Sequence, residues 1–444
     1  MDAFLFWVRI GTVIVVVFLA GLYSGVSHNW AYRSIQHIRH TVMLAVTEAE
    51  NLRPDGTPVH FLQPARQPGS GVTINDTDDD DLIMLVGFFD GGNEVRLITR
   101  DGTPLARWPM SFLTHFEDAP HLTGKPATDW NIDLHGAVLN PDGSLVTNYE
   151  YSGSLKLDRC GDVIWRLNHQ THHSVTRSER GGYWIPGRVI REKSHPLPPF
   201  TEYDRIARFR EDLILHVGED GTIRTQKSVP EIMMENGLEP LFTAARFFVD
   251  GGWSDELVHV NKIAELPAAL APAFPMFDAG DLALSLRRYN LVFVVDPDTW
   301  RIKWHSTGPW LRQHDVEFNA DGGLSVFNNN AYPVSLADKE RTDLAAARTS
   351  NILWLDPASG TSEKRFGQAP GQDFLSVYRG DHQPTSDGGY LVAEHEAGRI
   401  FESDATGRII WEYINRFDAD QVLEITGAQR YPRDYFSVTD WTCP

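Results

Sequence analysis

Cysteine is almost absent from this chain. Cys160 and Cys443 are the only two in 444 residues, too few for a zinc framework or a disulfide-dense scaffold. One bridge in an oxidising compartment and two free thiols both stay open at this point. Positive charge is scarce as well: 60 acidic residues outweigh 40 basic ones, a formal net charge of -20. Such a field repels phosphate backbones, so no nucleic acid is expected as a partner. Also missing are a Walker loop, a dinucleotide fingerprint, a Ser nucleophile elbow, an H-E-x-x-H pair and a Cys/His ligand pattern. Those absences remove the common nucleotide, hydride, hydrolase and zinc chemistries, and no metal or cofactor is expected. The run Asp78 to Asp81 reads as the solvated end of a linker rather than a calcium site.

What is present begins with one long apolar run. FLFWVRIGTVIVVVFLAGLYSGV, Phe4 to Val26, is interrupted only by Arg9, and Ile10 to Val26 alone is long enough to cross a bilayer. No small-x-small cleavage site follows it, so it reads as an uncleaved anchor rather than a signal peptide. Arg33 and Arg39 beyond the run compete with Arg9 before it, and loop charge leaves the orientation open. SIQHIRHTVMLAVTEAENL, Ser34 to Leu52, carries Ile35, Ile38, Val42 and Val46 at helical spacing, a short amphipathic stalk. A Pro/Gly-rich linker follows. The expected organisation is an anchor over 1–30, a helical stalk and linker over 31–80, and a body over 81–444.

A hydrophobic share of 42% suits a globular body, and its length calls for repeats or a barrel rather than one core. Strand-length alternating runs recur around polar turns. The unit appears as LITRDGTPLARW (from Leu97), LKLDRCGDVIW (from Leu155) and LHVGEDGTIRT (from Leu215). It returns as FVVDPDTWRIKW (from Phe293), LWLDPASGTSEKRF (from Leu353) and IFESDATGRIIW (from Ile400). Six copies at this spacing predict an all-β, six-bladed β-propeller preceded by one transmembrane helix. A second hairpin lies between the copies and opens with histidine. His135, His172-His173, His259, His314 and His382 stand ahead of a strand in five of six blades, and the first blade has none. The innermost strands of a propeller line its channel, so these imidazoles are expected to converge, with the asparagines of FNNN (Phe327 to Asn330) supplying amides nearby.

Convergent imidazoles with arginines and amides suit transfer of a sulfuryl or phosphoryl group, where positioning and charge stabilisation supply most of the catalysis. The chain resembles the bacterial aryl sulfotransferases that work without a nucleotide sulfate donor. The resemblance is carried by DELVHVN (Asp255 to Asn261), GDLALSLR (Gly280 to Arg287), QHD and FNNN (Gln313 to Asn330), GRIFE (from Gly398) and GRIIWEY (from Gly407). It implies a six-bladed propeller that moves a sulfuryl group between phenols through a sulfated histidine. His259 and His314 would hold sulfate oxygens or shuttle protons, and Arg287 would stabilise charge. Asn261, Asn329, His173 and Arg399 are expected substrate contacts. The family's pocket arginine has no clear counterpart after FNNN, with Arg341 and Arg348 downstream. Arg399 stands near the place of the family's nucleophile, so His382, at the repeat's axial position, is the expected nucleophile, with His395 next. The expected partners are small phenolic substrates and, at the membrane, companion subunits or a second copy. The expected location is a bacterial inner membrane, crossed once, with the propeller in the periplasm. The competing reading is a non-catalytic propeller serving as a scaffold subunit of a membrane complex.

Overall fold

The computed structural model describes residues 2–27, 29–51, 61–89, 91–122, 128–129, 132–192, 208–244, 256–331 and 349–443. It divides into two units, Met1–His60 and Phe61–Pro444. In the first, a helix spans Asp2–Ser27. Its segment Phe4–Ser27 is long and apolar enough to cross a membrane. A second helix spans Trp30–Asn51. Asn29 starts it, its Oδ1 accepting from the amides of Ala31 at 3.1 Å and Tyr32 at 3.2 Å, as an N-cap residue does. Ile35, Ile38, Val42 and Val46 are exposed along it.

The second unit is a propeller of six antiparallel blades. Each of the six repeats read from sequence is the outer hairpin of one blade. Blade 2 shows the plan: Leu134–Leu139 innermost, then Leu145–Tyr149, Gly153–Leu157 and Val163–Leu167. A wedge of apolar side chains fills each gap between neighbouring blades, from Leu82, Trp108 and Leu145 between blades 1 and 2 to Ile83, Ile400 and Trp411 between blades 6 and 1. The repeated tryptophans do more than pack. Trp108 of blade 1 donates its indole N–H to the Asp158 carbonyl in the outer turn of blade 2, at 3.0 Å. Trp165 donates to Glu219 of blade 3 at 3.0 Å, and Trp411 of blade 6 to Arg100 of blade 1 at 2.8 Å. Each bond satisfies a buried indole and a turn carbonyl together, fixing the angle between two blades.

The ring is closed from both chain ends. Ile425–Tyr431 enters blade 1 as its innermost strand, beside Leu82–Phe89. Gly71–Asn75 adds a fifth, outermost strand to blade 6 beside Ile409–Ile414, and Leu62–Pro64 pairs with Gln421–Leu423. The body therefore begins at Phe61, not at 81, and the part of the expected linker after residue 60 is folded into the sheets. The Asp78 to Asp81 run is likewise not simply solvated. Asp79 meets Arg100 at 2.8 Å and Arg430 at 3.3 Å, Asp81 meets Arg430 at 2.6 Å, and buried Glu402 holds both arginines. Beyond blade 1 the tail crosses to blade 2, packs Phe436 and Trp441 beside Trp108, and ends in a Cys160–Cys443 disulfide. That bridge settles the question the sequence left open.

Candidate functional site: a histidine cluster on the propeller axis

The innermost strands of all six blades enter the channel from one end. At those entrances stand Glu424, His135, His172-His173, His259, His314 and Arg379, for blades 1 to 6 in turn. His135, His173, His314 and Arg379 line one axial cavity, with Asn261, Lys262, Asp315 and Asp381 beside them. His173 lies at the centre. Its ring centroid is 4.0 Å from that of His135, 4.9 Å from His259 and 6.3 Å from His314. Gly136 permits the approach, because a Cβ there would come 2.2 Å from the His173 carbonyl oxygen.

The backbone at this end is held in an unusual state. Tyr151, His173, His259 and Arg379 all have positive φ, at 56°, 52°, 60° and 56°. A non-glycine residue there costs on the order of 1 kcal/mol or more, and persists where surrounding contacts over-determine it. Those contacts are on hand. The His259 amide donates to Asp212 Oδ2 at 2.7 Å, and the Arg379 amide donates to His314 Nε2 at 3.0 Å.

Burial sets the charge of the cluster. It pushes His135, His173 and His314 well below the usual imidazole value of 6.5, helped by Arg379 at His135, neighbouring imidazoles at His173 and Arg287 at His314. His259 is lowered to about 4 by burial and by Arg287, against the pull of Glu256. At neutral pH all four are uncharged, so each has one nitrogen lone pair. The hydrogen bonds say which. His259 Nδ1 lies 2.8 Å from Glu256 Oε2 and is the donor. The Arg287 nitrogen 3.3 Å from that same atom therefore contributes charge rather than a hydrogen bond. Burial alone would raise Glu256, but His259, Arg188 and Arg287 hold it well below the carboxylate range. His259 Nε2 keeps the lone pair and is buried with no hydrogen-bond partner among the described residues. The same holds for Asn261 Oδ1 and Arg379 Nη1. Arg379 is otherwise clamped by Asp133 and, at 2.8 Å, by Glu150.

Several expected roles change on this geometry. His382 is completely buried, with Nδ1 2.8 Å from Asp315 Oδ2 and Nε2 2.7 Å from Ser325 Oγ, a strut between blades 5 and 6 with neither nitrogen free for a substrate. Strand alternation explains it: Asp381 faces the axis, so His382 faces away. His395 is buried against the Ile425 carbonyl at 2.9 Å and Glu424 at 3.4 Å. Arg399 is buried in the third strand of blade 6, paired with Glu412 at 2.6 Å and Glu394 at 3.2 Å, away from the cluster. His314 has both nitrogens engaged, since Nδ1 donates to Asn329 Oδ1 at 2.7 Å. Asn329 in turn holds the carbonyls of Ser376 and Arg379. Asn329 thus braces the entrance of blade 6 instead of offering its amide to the cavity, and Asn328 and Asn330 bond within and beside blade 5, to Asn351 and Thr349. His259, Arg287, Asn261 and His173 do lie at the cluster, as expected. Arg341 and Arg348 fall outside the described residues.

A family model described as arylsulfotransferase (ASST) matches residues 135–416. The chain belongs to the arylsulfotransferase family. The matched span contains the four clustered histidines and Arg379, and the family match supports an aryl-sulfotransferase-like function in general. No curated protein matches the chain. Among solved structures, a protein of unknown function from Bacteroides caccae is similar at 11% identity and a TM-score of 0.44, over 76% of this chain and 94% of that one. Virginiamycin B lyase from Staphylococcus aureus is similar at 11% identity and 0.36, over 67% and 74%.

Sequence reading missed several residues at the cluster of this arylsulfotransferase-family propeller. Arg379 takes the place a histidine holds in other blades, and the RGDH spelling drew attention to its last letter. Asp212 and Tyr151 come from outside the inner strands, and no spacing in the sequence ties them to the histidines; Glu256 stands three residues ahead of His259, inside DELVHVN, and was passed over.

Proposed function

We propose that this protein transfers a sulfuryl group between phenolic compounds through a sulfated histidine, and that His173 is the nucleophile. The observation that carries the reading is the cluster of four uncharged imidazoles, three of them lining one axial cavity and His259 packed against His173, with an unsatisfied Arg379 N–H among them. His173 lines that cavity, and its Nδ1 is anchored 2.8 Å from His172, which leaves Nε2 for the substrate. In the first half-reaction the Nε2 lone pair attacks the sulfur of an aryl sulfate. The N–S bond forms, the S–O bond to the phenol breaks, and a phenolate leaves. In the second, an acceptor phenol gives its proton to His259 Nε2, and its oxygen takes the sulfuryl group from His173. Arg379 and Asn261 hold sulfate oxygens, and His314 with Asn329 fix Arg379 in place. Splitting a difficult transfer in two is what covalent catalysis provides.

The proposed location is a bacterial inner membrane, crossed once, with the propeller on the periplasmic side. The Cys160–Cys443 disulfide supports that orientation, since such bridges persist in oxidising compartments. The test of the activity uses the full-length protein in detergent with a chromogenic aryl sulfate and a phenol acceptor. Acceptor-dependent phenolate release is expected, falling to background in His173→Ala. No release from the wild type, or undiminished release from that variant, overturns the proposal.

A further inference from the structure

Behind His173 lies a buried chain of groups that the transfer as written leaves unused. His173 Nδ1 sits 2.8 Å from His172 Nδ1, and His172 Nε2 sits 3.3 Å from Asp212 Oδ1. The His172 and Asp212 side chains are wholly buried. Asp212 comes from the third strand of blade 3, opposite Arg188 in the second. Arg188 is 3.4 Å from its Oδ1, and the His259 amide donates to its Oδ2 at 2.7 Å. Burial alone would raise this carboxyl, but His172 and Arg188 hold it below its usual range. Tyr151 closes the group, its ring 5.0 Å from that of His172 and 3.8 Å from the Arg188 guanidinium.

With a single proton on His172, one arrangement suits all these contacts. A carboxylate only accepts, so His172 carries its proton on Nε2 and presents a lone pair at Nδ1. His173 must then donate from Nδ1, and its lone pair falls on Nε2, on the cavity side. We propose that Asp212 and His172 are positioning residues that set the tautomer of His173 and disperse the charge that develops on it. This inference rests on the sulfuryl-transfer reading. When Nε2 bonds to sulfur, the ring becomes cationic and its Nδ1–H turns acidic. His172 Nδ1 takes up that proton, and the imidazolium so formed lies against Asp212, its Nε2 3.3 Å from Oδ1, until the proton returns to His173. No proton is lost to solvent. When the acceptor oxygen takes the sulfuryl group, the electron pair returns to Nε2 and the chain relaxes. The division of labour is that of an acid–histidine pair behind a nucleophile, with a second imidazole in line.

Asp212→Asn is the informative variant. The His259 amide keeps the side-chain oxygen on its side, so the new NH2 points at His172 Nε2 and donates to it. His172 must then protonate Nδ1, and His173 receives its proton on Nε2, which blocks the lone pair. Two readouts follow. Nitrogen-15 NMR of histidine-labelled, full-length resting protein should show His173 protonated at Nδ1 in the wild type and at Nε2 in the variant. Rapid mixing with a chromogenic aryl sulfate should show the phenolate burst slowed on the order of a hundredfold or more, with the half-saturating sulfate concentration little changed. His172→Gln, whose carbonyl still accepts from His173 Nδ1–H, should lose less and decides the matter if Asp212→Asn does not fold. Wild-type His173 protonated at Nε2 overturns the inference, as does a folded Asp212→Asn with unchanged tautomer and burst, or a folded His172→Gln whose burst matches the wild type. The NMR result needs no turnover, so a protein that never accepts a sulfuryl group would defeat the functional reading without touching the tautomer.

Discussion

Glu424 opens the inner strand of blade 1, the one entrance without a histidine or arginine, and its hydrogen bonds fix its charge. His395 Nδ1 donates to the Ile425 carbonyl at 2.9 Å, so His395 Nε2 bears a lone pair. That lone pair faces Glu424 Oε2 at 3.4 Å, while Gln63 donates to Oε1 at 2.6 Å. Only a protonated Glu424 suits both neighbours. Burial does the rest, raising its pKa from 4.5 to about 8 against the pull of Arg379. The sign follows from proton counting. Between pH 4.5 and about 8 the folded chain keeps a proton that the unfolded chain has released, so stability falls as pH rises through that window. At pH 7 the gap from 4.5 is 2.5 units, a cost of about 3 kcal/mol at ~1.4 kcal/mol per unit. Glu424→Gln copies the protonated acid, with an NH2 for His395 and a carbonyl for Gln63. It should stabilise the protein by about 2–3 kcal/mol at pH 7 and by little at pH 4.5. Denaturant unfolding of both full-length proteins at pH 5, 6.5 and 8, followed by tryptophan fluorescence, measures this. Parallel pH dependences, or a variant less stable than the wild type at pH 8, would refute the reasoning.

Other consequences are open to measurement. Cys443→Ser, which opens a loop spanning 283 positions, should lower stability by roughly 2–4 kcal/mol and abolish the effect of reductant on unfolding. Trp108→Phe keeps the packing and removes one of two hydrogen bonds to the Asp158 carbonyl, the Gly161 amide keeping the other at 3.2 Å, so a loss of about 0.5–1.5 kcal/mol is expected in the same assay. His382→Asn should destabilise by a similar amount while folded molecules keep wild-type turnover; loss of turnover at intact fold would restore His382 as a candidate. His259 has a folded pKa of about 4 against 6.5. Its contribution to stability is therefore full above about 6.5 and lost as pH falls through 4, and a pH–rate profile should hold level to about pH 5 before declining.

The repeats were the most legible part of the chain. Turn glycines and blade tryptophans mark one hairpin per blade, and that hairpin is local, so strand alternation and turn chemistry specify it without help from distant contacts. Ring closure was not legible. Gly71–Asn75 pairs with Ile409–Ile414 across more than three hundred residues, and five polar and apolar residues after a Pro/Gly-rich stretch carry no sign of such a partner. The cluster was legible in kind, through histidines at matching points of the repeat. It was misread in blade 6, where a shift of one residue decides which side chain meets the axis. His382 and Asp381 differ by that one step. The supporting carboxylate Asp212 was invisible because its partners His172 and Arg188 lie in other segments of the chain, whereas Glu256, three residues before His259, was within reach of a spacing argument.

The most direct test is the intact mass of the full-length protein after incubation with excess chromogenic aryl sulfate and no acceptor, followed by fragment mapping. The account predicts a gain of one sulfuryl group on His173, removed by added phenol. A group found on His382 or His259, or no gain at all alongside an intact fold, would contradict it.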